Sequence, residues 1–299
     1  MLNDIKLEHS LLVNNVLGEG VIWDHRLQQL YWTDILQNKL YCWTFSGDLS
    51  VYPCPDKLCS FGLTIDPQWL ICAFPRGFAF FNPISQALSW ITQLELPEGA
   101  RLNDGRVDRQ GRFWAGVMVD SSKGKQQLGK LYRLDFDATV SAQISGVQIS
   151  NSLCWSPEGQ RVYFADSPSR CIQSAEFDPK SGNIGQLHDF AHTEQKAFPD
   201  GACIDKDGCL WSAQWGSSTV KRYSPSGELL LTLTLPCKQP SCVTFAGPNL
   251  DHLCITSARQ SLDQTKVCPN DGGLYIFSSP YSGLPEEICH MPMSVAKQN

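Results

Sequence analysis

Six similar short segments recur along the chain: EGVIWD (19–24), FGLTID (61–66), NDGRVD (103–108), NSLCWS (151–156), DGACID (200–205) and SCVTFA (241–246). Their last residues stand at 24, 66, 108, 156, 205 and 246, so successive copies are 41 to 49 residues apart. That period suits one four-stranded sheet per copy, a unit that must stack on its neighbours to bury its faces.

The residues inside each repeat favour strands over helices. After each opening come a short polar turn and a β-rich run, as in HRLQQLYWTDI, RQGRFWAGVM, PEGQRVYFADS and KDGCLWSAQW. Gly, Pro, Asp and Asn then bound short runs of Val, Ile, Tyr, Phe and Trp such as GKLYRLDF and GGLYIFSS. No long amphipathic helical pattern closed by caps is present. The pattern predicts an all-β, six-bladed β-propeller forming a single domain over residues 1–299, with an irregular tail after about 280. The last repeat has fewer strands to spare, so the N-terminal IKLEHSLLV is expected to pair into it, closing the ring and hiding its edges. Trp23, Trp114, Trp155 and Trp211 fall in the strand pattern and are expected to pack the blades.

In a propeller the first strand of each blade runs along the central channel, so residues in equal phase form a ring. The first residues of the six openings are Glu19, Phe61, Asn103, Asn151, Asp200 and Ser241; five of these are polar in otherwise apolar surroundings. Arg101 lies two residues before Asn103 and shares its face if that lead-in is extended. Asn-Asp-Gly at 103–105 is also ordinary turn chemistry, but its phase match favours a place in the ring.

Glu19, Asn151 and Asp200 offer hard oxygen ligands suited to a divalent cation, with coordination positions left for water and substrate. The same residues could instead line a water-filled channel and cap strand ends. His188 and His192, four apart in a strand-and-loop region, are not expected to share a metal. There is no G-x-S-x-G elbow, H-E-x-x-H motif or P-loop.

A net charge of -6 and a pI near 5.5 leave no footprint for nucleic acid, and no apolar run reaches membrane-spanning length. The thirteen cysteines are scattered, odd in number and without a C-x-x-C pair, and no secretory signal is visible. These features predict free, buried thiols and a cytoplasmic protein.

LGEGVIWD, RLNDGRVDRQGRFWAG, SNSLCWSPEG, FPDGACIDKDGCLW and SARQ together resemble the senescence marker protein, regucalcin and gluconolactonase family, in the expected order from about residue 15 to 278. The resemblance implies a six-bladed propeller, one divalent cation (calcium, zinc, magnesium or manganese) and hydrolysis of a sugar lactone. It implies Glu19, Asn151 and Asp200 as metal ligands and Arg101 and Asn103 as substrate-binding residues; in such a hydrolysis Asp200, the carboxylate beside the ion, could take the proton from water as general base. Where many members carry a substrate-binding glutamate after A-G-x-M, this chain has Ser121 with Asp120 beside it. The polar segment 119–129 would suit a lid or a plain surface loop.

Two other functions compete. Tyr31-Trp32-Thr33-Asp34 matches a tetrapeptide of ligand-binding receptor propellers, but the equivalent strands read VYFADS, FWAGVM and LWSAQW, so this single copy reads as strand residues. A metal-dependent phosphotriesterase could use the same scaffold, because an open cation would also polarise a phosphoryl oxygen.

Overall fold

A computed structural model describes residues 4–120, 128–263, 265 and 267–296. The described residues form six antiparallel sheets arranged as the blades of a propeller, without an α-helix. The innermost strands are Gly18–Asp24, Ser60–Thr64, Ala100–Val107, Ser150–Trp155, Phe198–Ile204 and Pro240–Ala246, so each recurring opening falls on the channel-lining strand of one blade. Blades are numbered 1 to 6 in that order.

The ring closes as expected. Lys6–Leu11 pairs antiparallel with Leu274–Ser278 and supplies the outer strand of blade 6, so the two ends of the repeat array share one sheet. No blade-to-blade edge then remains open at the joint.

The opening segments recur because their last residue has a local task. Asp108 accepts the backbone N–H groups of Gln110 and Arg112, and Asp205 those of Asp207 and Cys209, which folds the chain back into the second strand. The same carboxylates accept the indole N–H of Trp114 and Trp211, each at 2.9 Å, so turn and inter-blade core are fixed together. Ser156 takes the capping role in blade 4, accepting from Gln160 and Arg161. Trp23, Trp114, Trp155 and Trp211 are all buried between blades.

The Tyr31-Trp32-Thr33-Asp34 segment is structural. Trp32 is fully buried, Thr33 donates to the carbonyls of Lys39 and Leu58, and Asp34 accepts the backbone N–H groups of Val16 and Leu17. All thirteen cysteines carry free thiols, and all but Cys268 are buried, behaving as small apolar side chains. Among the described residues, no helix is long and apolar enough to cross a membrane.

The segment after residue 280 has little regular secondary structure but is held by specific contacts. Ser282 accepts from the Lys206 N–H, Ile288–Cys289 adds a short parallel strand beside Leu63–Thr64, and the His290 N–H donates to Gly111. In between, Glu286 pairs with Arg106 at 2.7 Å and accepts from Thr244, while Glu287 pairs with Arg109. The segment therefore touches blades 2, 3, 5 and 6 near the ends of their inner strands and closes that mouth of the channel. Its run of isolated polar contacts has no sequence period, which is why the pattern alone reads as irregular.

Candidate active site

The opposite mouth holds a cavity of about 320 Å³, lined by Glu19, Arg101, Asn103, Asn151 and Asp200 with Gln239 beside them. Larger grooves exist on the surface, but this is the one into which the in-phase residues of blades 1, 3, 4 and 5 converge. Phe61 and Ser241 complete the ring differently. Phe61 is buried against its neighbours, and Ser241 donates to Gly18 O and to Thr256 Oγ1, stitching blade 6 to blade 1 rather than facing the cavity.

A backbone irregularity aims the converging side chains. The pairing of inner and second strand slips between Glu19 and Ile22, between Leu102 and Gly105, between Asn151 and Cys154, and between Pro199 and Ala202. Each of these four slips is a β-bulge at a cavity residue, and a bulge bends the strand and re-aims its side chains; blade 6 slips too, between Pro240 and Cys242, but there the intervening Ser241 turns to blade 1 instead. Blade 2, whose in-phase residue is Phe61, pairs without a slip. Gly20 adopts φ +59 and Ser152 φ +58 immediately after Glu19 and Asn151, a conformation that glycine takes freely and serine rarely. Asn-Asp-Gly at 103–105 is thus a bulge inside the strand Ala100–Val107, not a turn between strands.

A chain of hydrogen bonds joins three blades. Arg101 donates through Nη1 to Asn103 Oδ1 at 2.7 Å; Asn103 Nδ2 donates to Ser150 O at 3.0 Å and to Asn151 Oδ1 at 3.3 Å. Asn151 Nδ2 donates to Ser167 Oγ at 2.8 Å, and Ser167 Oγ donates to Pro199 O at 2.7 Å. The network fixes which end of each amide is oxygen and leaves Asn151 Oδ1 with acceptor capacity on the cavity side. Ser152 Oγ holds the Asp200 backbone carbonyl at 2.6 Å.

The electrostatics of the site favour a cation. Burial, and then the Asp104 carboxylate, push Glu19 up to about 8. Asp200 is raised well above the usual carboxylate range by burial first, then by Glu19 and Asp104. Asp104, also raised by burial, accepts the Leu153 N–H at 3.1 Å. Glu19 and Asp200, buried acids raised by their own burial and by neighbouring carboxylates, line the cavity with the amide oxygen of Asn151 and form a hard oxygen donor set whose charge a divalent cation would relieve. Glu19, Asn151 and Asp200 are the residues that fit such an ion.

Asp104 escapes a phase-based reading because the ring admits one residue per blade, whereas the bulge turns two consecutive side chains of blade 3 inward. Its adjacency to Asn103 is the available signal. Ser167, Gln239 and the apolar wall of Met118, Ile149, Phe198 and Trp215 were also not singled out, since each comes from the end of a strand or from a connection. Asp120 follows the strand Phe113–Val119, bonds through its N–H to Gly99 O, and is not among the lining residues. Ser121, and most of the segment 119–129, lie outside the described residues.

Residues 17–259 match the profile of a family described as the SMP-30/Gluconolactonase/LRE-like region. The chain is 36% identical to the L-arabinolactonase of Azospirillum brasilense, over 90% of this chain and 91% of that protein. It is 35% identical to the 6-deoxy-6-sulfogluconolactonase of Pseudomonas putida, over 83% and 85%. Among solved structures, the calcium-binding protein regucalcin from Agrobacterium tumefaciens superposes with a TM-score of 0.88 at 28% identity, covering 95% of this chain and 98% of that one.

Proposed function

Because the chain belongs to the SMP-30/gluconolactonase/LRE-like family, we propose that it is a lactonase that opens a sugar lactone to the hydroxy acid with the help of one divalent cation. The carrying observation is the convergence of Glu19, Asn151 and Asp200 with Arg101 and Asn103 in a single cavity at the open end of the channel. Relatives named L-arabinolactonase and 6-deoxy-6-sulfogluconolactonase support the substrate class.

Glu19, Asn151 and Asp200 would hold the ion. When bound, a divalent cation supplies Lewis acidity that polarises the ester carbonyl and lowers the cost of charge on its oxygen.

The remaining chemistry belongs to side chains. Arg101 and Asn103 hydrogen-bond the lactone oxygens and hydroxyls, orienting the carbonyl carbon towards a water molecule. The apolar wall of Met118, Ile149, Phe198 and Trp215 takes the C–H face of the sugar ring and excludes bulk water. Asp200 accepts a proton from the attacking water as the new C–O bond forms. The same proton passes to the ring oxygen as the ester C–O bond breaks. The product is the open hydroxy acid, and Asp200 returns to its starting state.

Proton release from a panel of aldonolactones, beside organophosphate esters and with and without chelator, tests this reading. Cation-dependent opening of a lactone supports it. Organophosphate turnover without lactone turnover would transfer the site to phosphotriester chemistry.

A further inference from the structure

Blade 4 carries a second set of ligand-forming side chains, outside the channel. Cys171 opens the third strand of the blade, Cys171–Glu176, and stands directly across from His192, the last residue of the outer strand His188–His192. Asp189 lies three residues before His192. In a regular strand two residues three apart face opposite sides of the sheet. Here the pairing runs Ile172 with Ala191 and then Gln173 with Asp189, so Phe190 is an extra residue and the strand bulges around it. The bulge turns Asp189 and His192 to one face, where His192 Nε2 lies 3.4 Å from Asp189 Oδ2, while Phe190 packs inward against Tyr163 and Tyr223.

The sulfur of Cys171, a carboxylate oxygen of Asp189 and a ring nitrogen of His192 all lie within 4.8 Å of one another. A tetrahedral ion with bonds of about 2.0–2.3 Å separates its ligand atoms by roughly 3.3–3.8 Å, which small rotations of these side chains reach. The backbone is already pinned there, since the Thr193 N–H donates to Arg170 O at 2.9 Å and joins the start of one strand to the end of the other. By contrast His188 and His192, on the same strand, are about 13 Å apart along it and cannot share an ion.

We propose that Cys171, Asp189 and His192 form a rim site for a borderline transition-metal ion of the zinc, cobalt or copper class, with water completing the shell. Thiolate and imidazole ligands select such ions, whereas the all-oxygen set of the channel suits harder ones, so the two sites differ in chemistry. The Cys171 thiol is buried and the other two ligands are exposed, giving a solvent path to the ion.

Cobalt(II) titration of the chelated full-length protein tests the proposal, because thiolate-to-cobalt charge-transfer absorption arises only at a sulfur ligand and is silent to the channel site. Wild type is expected to bind one more cobalt than Cys171→Ser and to show the thiolate band. Cys268→Ser, which removes the one thiol that is not buried, should keep that band. His192→Ala, at an exposed position, should weaken the cobalt that gives the band by more than about tenfold, the least that losing even a supporting group costs. Absence of the band from wild type, its survival in Cys171→Ser, or its indifference to His192→Ala would each overturn the assignment.

Discussion

The amide nitrogen of Asn103 donates to Asn151 Oδ1 at 3.3 Å, joining the blade 3 residue proposed to bind substrate to the blade 4 residue proposed to hold the cation. Arg101 enters the same chain only through Asn103 Oδ1, so the two neighbours are expected to fail differently. Arg101→Ala should lower kcat/KM by the equivalent of about 1–3 kcal/mol, one to two orders of magnitude, with cation affinity nearly unchanged. Asn103→Ala should lower kcat/KM and also weaken the cation, because Asn151 loses the contact that orients its oxygen. Lactone kinetics beside calorimetric cation titration of each variant separate the two cases. Equal effects on cation binding would contradict the order of the network.

If the buried acids hold the proposed cation, its binding should depend on pH. A carboxyl whose folded pKa is raised stabilises the fold below its unfolded value and loses that contribution as pH climbs through the folded value. Glu19 moves from 4.5 to about 8, and Asp200 shifts in the same direction. Chelated protein should therefore lose thermal stability between those limits, and calcium, which displaces the protons, should raise Tm more at the upper end than at the lower. Glu19→Gln should flatten the pH dependence of the chelated protein and abolish most of the calcium effect. A calcium-induced Tm shift equal at both ends would show that these carboxyls are already ionised without the ion.

At the closed end of the channel, Arg106 is held by Glu286 at 2.7 Å and by Ala202 O. Glu286→Gln keeps the shape and removes the countercharge, leaving a largely buried guanidinium poorly compensated. Stability should fall by up to about 3 kcal/mol, the lower end of what breaking a buried pair costs. Kinetics of the folded fraction should change little, since the cavity lies at the other mouth. Thermal denaturation with parallel lactone assays checks this, and an unchanged Tm would mean that the terminal segment does not seal the channel.

Phase carried much of the architecture in the sequence. The recurrence of Asp24, Asp66, Asp108, Ser156 and Asp205 at the inner-strand ends is turn chemistry, and local chemistry repeats visibly. Glu19, Asn103, Asn151 and Asp200 were found because they share a phase. Asp104 was not, because a bulge is a two-strand property that no single strand announces. Gly201 shows the same limit: a Cβ there would stand 2.6 Å from Cys242 Sγ, a requirement of blade-to-blade contact that a lone glycine does not signal. Cys171 and His192 meet only through strand pairing, and the terminal plug only through contacts with four blades.

The most direct test compares Asp200→Asn with Asn151→Ala in lactone turnover across a cation titration, with bound ion counted independently. Both residues offer oxygen to the ion, but only the carboxylate can take a proton from water. With the cation saturating, Asp200→Asn should remain about 10²–10⁴-fold below wild type, the usual cost of losing a general base, while Asn151→Ala recovers much of its rate. Near-normal turnover of Asp200→Asn once the ion is bound would contradict the account and leave Asp200 a ligand alone.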